Sequence, residues 1–299
     1  MELSAELAAP ERFDLVASQL PIRLGPLDPT MRVEAGCVWR ATRTPIGPAS
    51  YRLLQRGGCI HVRAFGEGAP WVIEHAAALT GLDDDPTRFT TEHPIMRALE
   101  RRHGVHHLPR TMRVFERLVP TVLQQLVTWR EARRAYLGLV RRHGEDAPGP
   151  ARLRLLPCPA TMRALSPTDY VALGVLPRHA VVLREIAMLA SRLDALASLP
   201  SHDAAARMQS LRGIGPWTAG SLQGVVFGDP DAVIVGDYHL PSEVSWVLEH
   251  RRDGTDARML ELLEPFRGHR WRAIQLIRAH PDRPPRRAPR RAMRPLLLR

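Results

Sequence analysis

Leu211-Arg-Gly-Ile-Gly-Pro-Trp-Thr-Ala-Gly220, followed by Val233-Ile-Val-Gly-Asp-Tyr-His-Leu240, is the stretch on which the reading of this chain turns. Gly213 and Gly215 bracket Ile214 between two helix-compatible segments, so the backbone can turn tightly there and present free N–H groups beside a helix N-terminus. Such a turn suits an anion, and phosphate is the natural one. Taken alone, a Gly-x-Gly turn is also an ordinary connection between two helices. The leucine before it, the proline after the second glycine and the helix opening at Trp217-Thr-Ala favour a phosphate-gripping hairpin. Asp237 stands apart from other acids, behind the apolar run Ala232-Val-Ile-Val235 and the small Gly236. Capping of the following helix alone would explain it, and its setting could also place a carboxylate at the mouth of a cleft.

Composition points to the same kind of partner. The 299 residues carry a formal charge of +11, which favours a polyanion through release of the counterions that phosphates condense. Every basic side chain other than histidine is arginine, because the chain has no lysine. Cys37, Cys59 and Cys158 are far apart and form no CxxC pair, so they predict reduced, buried thiols rather than a zinc or iron–sulfur site. No apolar run is long enough to span a bilayer, and a start containing Glu2 and Glu6 does not read as a signal peptide. The expectation is a cytoplasmic monomer with no membrane partner.

Working outward, Arg12 to Gly68 alternates with period two, as where Ile60, Val62 and Ala64 interleave with His61, Arg63 and Phe65. That predicts a small antiparallel sheet. A helix over Trp71–Leu82 follows, ended by Asp83-Asp84-Asp85-Pro86. Beyond it the period becomes helical, with Phe115, Leu118, Val119, Val122 and Leu126 on one stripe, kinked at Pro120, and Leu183, Ile186, Ala190, Leu193 and Ala197 on another. The run Arg101-Arg-His-Gly-Val-His-His107 reads as a solvated, DNA-facing basic loop rather than a metal site. The predicted class is α+β: an N-terminal sheet domain over 1–88, an all-helical core in two lobes over 89–280 and a flexible basic tail over 281–299.

With these motifs the chain resembles the helix-hairpin-helix DNA glycosylase superfamily, in particular its alkylation-repair branch, the 3-methyladenine DNA glycosylase II type. The hairpin, Asp237 downstream of it, Phe115-Glu-Arg-Leu-Val-Pro-Thr-Val-Leu-Gln-Gln-Leu-Val127 and Leu173-Gly-Val-Leu-Pro-Arg-His-Ala180 carry the resemblance. It implies a monofunctional enzyme that flips alkylated purines, of the 3-methyladenine and 7-methylguanine type, out of damaged double-stranded DNA and releases them by hydrolysis. By that resemblance Asp237 is the catalytic carboxylate, and Trp217, Tyr238, Phe266 and Gln125 line the substrate pocket. Leu126 is the plug that fills the gap in the stack, while Gly213, Ile214, Gly215 and Thr218 hold DNA.

The backbone carbonyls of Gln209, Leu211 and Ile214 are implied to hold a monovalent cation, Na+ or K+, and catalysis needs no other cofactor. Trp217 stands where bifunctional relatives carry a lysine that attacks the sugar, so a lysine-dependent strand cut is not expected. Three positions depart from the alkylation-repair pattern: Ser221 replaces an aromatic, Gly236 replaces a second acid and Phe266 replaces a larger indole. A glycosylase of the same fold for deaminated or oxidised purines, and a non-catalytic DNA-binding module, stay open as alternatives. For Leu126 and the aromatic residues, plain core packing is the competing reading.

Overall fold

The period-two segment folds as expected and gains a strand. In the computed structural model, which describes residues 1–284, β2 (Met31–Glu34), β3 (Cys37–Thr44), β4 (Gly47–Arg56) and β5 (Cys59–Phe65) pair antiparallel. β1 (Glu2–Ala8) adds to the β5 edge, giving a five-stranded sheet in the order β1-β5-β4-β3-β2. On β5 the side chains of Ile60, Val62 and Ala64 are fully buried while His61 and Arg63 face outward. α1 (Leu15–Gln19) precedes the hairpins, and the region expected as one helix after the sheet divides into α2 (Ala69–Glu74) and α3 (Ala76–Thr80). The break falls at His75, whose ring stacks on Trp71 and whose Nδ1 lies 2.8 Å from the Trp71 carbonyl.

The helices that follow are α4 (Pro94–His103), α5 (Val114–Leu123), α6 (Trp129–His143), α7 (Pro159–Ala164), α8 (Pro167–Ala172), α9 (Pro177–Met188) and α10 (Ala190–Ala195). The second apolar stripe is therefore shared by two helices that part at Leu189. Then come α11 (Ser201–Gln209), α12 (Pro216–Val226), α13 (Leu240–Glu249), α14 (Asp256–Leu263) and α15 (Arg270–Ala279). One apolar cluster joins the sheet and α2–α4 to α13–α15; a second is built from α5–α12. The last fifteen residues of the expected basic tail, 285–299, lie outside the described residues.

Two buried ion pairs tie distant elements together, the first across the two clusters and the second within the sheet-side one. Arg40 on β3 reaches Glu116 on α5 at 3.0 Å, and Glu116 also accepts from the Thr42 hydroxyl at 2.7 Å. Arg272 on α15 pairs with Asp84 and donates to the His106 carbonyl. That second pair corrects the reading of Arg101–His107 as a solvated loop. Arg101 and Arg102 are exposed, but His106 and His107 are tucked against α3 and α15, with His107 edge-on to Phe13 and bonded to the Gly81 carbonyl. Packing consumes the histidine half of the run. The cysteines are free, with Cys37 buried and Cys59 and Cys158 only half-buried. Among the described residues, no helix is long and apolar enough to cross a membrane.

Candidate active site

The expected hairpin joins α11 to α12 through Ser210–Gly215. Its two glycines do different jobs. Gly213 has φ +79, and a Cβ there would stand 2.5 Å from Val182 on α9, so both backbone geometry and close packing demand glycine. Gly215 has extended backbone (φ −95, ψ −177) that any residue adopts, and a Cβ there would meet nothing within 4 Å. Nothing in the protein's own fold explains the absence of a side chain at Gly215. The backbone N–H groups of Gly213 and Gly215 have no acceptor among the described residues, and Pro216 opens α12 without a side-chain cap. Unsatisfied donors, the positive end of a helix and open space converge there, as an oxyanion requires. Ile214 is buried and anchors the turn in the helical core.

Small residues bring α12 against the segment that carries Asp237. A Cβ on Gly224 would collide with the Trp271 ring of α15 at 2.3 Å, and one on Gly220 would stand 3.1 Å from the Val233 carbonyl. With α12 so close, the indole Nε1–H of Trp217 donates to Oδ2 of Asp237 at 3.0 Å. The other carboxylate oxygen, Oδ1, accepts the backbone N–H groups of His239 at 2.9 Å and Leu240 at 2.8 Å at the start of α13. Asp237 thus acts as a cap and is also held from a second side. Burial would push its pKa up, but the indole and the two backbone donors outweigh that and hold it below the usual aspartate value. The carboxylate is anionic at neutral pH, and both of its oxygens accept hydrogen bonds.

The stripe that was to carry Leu126 stops short of it. Phe115, Leu118, Val119 and Val122 are buried on α5, which runs through Pro120 and ends at Leu123. Leu126 adopts φ +53 and is 79% exposed, an arrangement that core packing does not produce. Beside it the Gln125 amide reaches into the hairpin, Nε2 donating to the Gly213 carbonyl at 2.9 Å and to Thr218 Oγ1 at 2.8 Å. Thr218 is buried and adjoins Trp217. A continuous chain of contacts therefore runs from the exposed Leu126 through Gln125, the hairpin and Trp217 to Asp237.

The remaining candidates separate. Tyr238 is 71% exposed beside Asp237, its ring edge-on to His239. Phe266 is 4% exposed and stacks on Phe89 inside the sheet-side core, 6.2 Å between centroids. Among the cation candidates, the Leu211 carbonyl accepts the Ile214 N–H at 3.1 Å. Two residues escaped the sequence reading. Asp256 accepts the Gly236 N–H at 3.0 Å, and His179 on α9 is 2% exposed with an unpartnered Nε2. Burial, and then the charge of Arg178, push His179 down to about 4. An acid in a first helical turn and a histidine on an apolar face are too common in sequence to single out.

No family model matches the chain, and no curated protein sequence does. Solved structures do. A 3-methyladenine DNA glycosylase from Archaeoglobus fulgidus superposes with a TM-score of 0.75 at 19% identity, over 91% of this chain and 96% of that one. The chain has the helix-hairpin-helix DNA glycosylase fold. MBOgg1 in complex with a low-affinity DNA ligand is similar over 92% of this chain and 93% of its own, with a TM-score of 0.72 and 13% identity. The apo 8-oxoguanine glycosylase/lyase of Clostridium acetobutylicum has a TM-score of 0.68 at 12% identity, covering 92% and 96%. The glycosylase fold here thus keeps the sheet as well as the helical core, since each match spans both.

Proposed function

We propose that this protein is a monofunctional DNA glycosylase that excises alkylated purines from duplex DNA. The observation that carries the reading is Asp237, a carboxylate kept anionic by its hydrogen bonds from Trp217, His239 and Leu240 and linked by contacts to the glycine hairpin and an exposed leucine. In this reading the Gly213–Gly215 hairpin grips one phosphate and Leu126 enters the stack where the target nucleotide leaves it. Alkylation at a ring nitrogen makes the purine cationic. The C1′–N bond then breaks with its electron pair going to the base, which leaves neutral, while positive charge develops on the sugar. Asp237 stabilises that charge, water adds at C1′, and its proton passes to the carboxylate or to solvent.

Electron-rich Trp217 and Tyr238 beside Asp237 favour a cationic base, an attraction of about 0.5 to 2 kcal/mol. The structurally similar glycosylase/lyase of Clostridium acetobutylicum is an 8-oxoguanine enzyme, and this chain has no lysine with which to form a Schiff base. For the hairpin cation, neutral carbonyl oxygens of Gln209, Leu211 and Ile214 suit Na+ or K+, and the Leu211 carbonyl keeps one lone pair beyond its bond to Ile214. Such an ion would stiffen the turn.

The test is base release, followed chromatographically, from duplexes carrying 3-methyladenine, 7-methylguanine, hypoxanthine or 8-oxoguanine. Release of the methylated purines without strand cleavage is expected. Release of only the neutral bases would move the protein to another branch of the fold, and release of none would leave a DNA-binding module.

A further inference from the structure

Three elements hold the loop that carries Asp237, and only two of them touch its carboxylate. Trp217 comes from α12, and His239 and Leu240 from the start of α13. The third acts one residue earlier. Gly236 has φ +81, a left-handed conformation that turns the chain between the apolar approach and Asp237. Its N–H donates to Oδ2 of Asp256, the first residue of α14, at 3.0 Å. A backbone donor at a left-handed turn needs an acceptor to stay put, and the acceptor here is a carboxylate supplied from another helix.

Asp256 is not accounted for by α14 itself. The N-cap is Thr255, whose hydroxyl accepts the Arg258 N–H at 3.2 Å. The second oxygen of Asp256, Oδ1, is buried and without a partner. Leaving a carboxylate oxygen in that state opposes folding, so a purely structural role would be better filled by a residue with less to satisfy. A favourable interaction with the α14 dipole would be equally available from an exposed side chain.

We propose that Asp256 is a positioning residue: by fixing the Gly236 turn it sets where the Asp237 carboxylate points and keeps it within reach of the Trp217 indole. The proposal rests on the glycosylase reading for its kinetic consequence but not for its geometric one. A carboxylate that must meet charge as it develops at one sugar atom tolerates little displacement, since a shift of about 1 Å can cost on the order of a hundredfold in rate. Asp256 acts through the backbone and touches no reacting atom.

The experiment compares Asp256→Ala with Asp256→Asn. Single-turnover excision from methylated duplex, duplex affinity and the 1H–15N resonance of the Trp217 indole are measured, the last assigned with Trp217→Phe. Asp256→Ala should lose about a hundredfold in single-turnover rate with duplex affinity retained, and should displace the Trp217 resonance. Asp256→Asn keeps an acceptor oxygen for the Gly236 N–H and should recover most of the rate and the native resonance. If Asp256→Ala, folded, kept both rate and resonance, or if Asp256→Asn were as damaged as the alanine variant, the positioning role would be overturned. A wild-type protein that releases no base would sink the glycosylase reading instead, and the indole resonance alone would then decide the role of Asp256.

Discussion

The Trp217 indole N–H donates to the Asp237 carboxylate at 3.0 Å, and together with the backbone donors of His239 and Leu240 it outweighs the effect of burial on that acid. Removing that donor in Trp217→Phe takes away one of the influences that oppose burial, so the Asp237 pKa should rise. The acidic limb of the single-turnover pH profile should then move to higher pH, while the wild-type rate stays independent of Asp237 protonation down to below the usual aspartate range. An unmoved limb would detach the indole from the ionisation of Asp237. Asp237→Asn should lower excision by orders of magnitude, as expected for about 3 kcal/mol or more of lost electrostatic stabilisation. Its amide cannot accept from both Trp217 and the α13 backbone, so a stability loss of about 1 to 2 kcal/mol should accompany it, measurable by urea unfolding.

The two hairpin glycines make a paired prediction. Gly213→Ala forces a Cβ onto Val182 in a left-handed backbone and should destabilise the protein by about 1 to 3 kcal/mol. Gly215→Val meets open space in extended backbone and should leave the melting temperature nearly unchanged. It should nevertheless weaken binding to damaged and undamaged duplex alike, because the side chain occupies the approach to the free N–H groups. Normal duplex affinity in folded Gly215→Val, read by fluorescence anisotropy, would remove the phosphate from this turn.

Gln125 yields a prediction different from that of a base contact. Its amide joins the segment bearing Leu126 to Gly213 and Thr218, so Gln125→Ala should loosen the plug relative to the hairpin. Leu126→Ala removes an exposed side chain and should leave stability intact. Both variants should slow the flipping step, monitored with a fluorescent base analogue beside the lesion, and should do so for every lesion tested. A loss confined to one base type in Gln125→Ala would return Gln125 to the pocket wall.

How much of this was legible follows from what periodicity can encode. The alternation of Ile60, Val62 and Ala64 marked β5 because one sheet face is buried, whereas β1 is mostly exposed and carries no such contrast. Period 3.6 found the α5 stripe but extended it to Leu126, since spacing cannot register that the helix ends at Leu123 and the chain turns left-handed. The hairpin and Asp237 were readable because glycines and an isolated acid are local signals. The links between them were not: Gln125 lies 88 residues from Gly213, and Asp256 lies 20 from Gly236. Only packing brings such pairs together.

His179 supplies the last prediction, a pH dependence of stability with a definite sign. Its pKa is pushed down to about 4 in the folded protein, below its unfolded value, so the unfolded chain binds the extra proton first as pH falls. The stability associated with the neutral imidazole is therefore complete above about pH 6.5 and is lost progressively towards the folded value, reaching a deficit of about 2 kcal/mol at pH 5. Urea unfolding of the wild type at pH 7.5 and pH 5 should show that loss among contributions from other groups. His179→Gln, which has nothing to protonate, should shrink the difference between the two pH values by about that amount, whatever its absolute stability. An identical pH difference in the two proteins would mean that the imidazole at position 179 titrates alike folded and unfolded, and that its burial is relieved before the proton arrives.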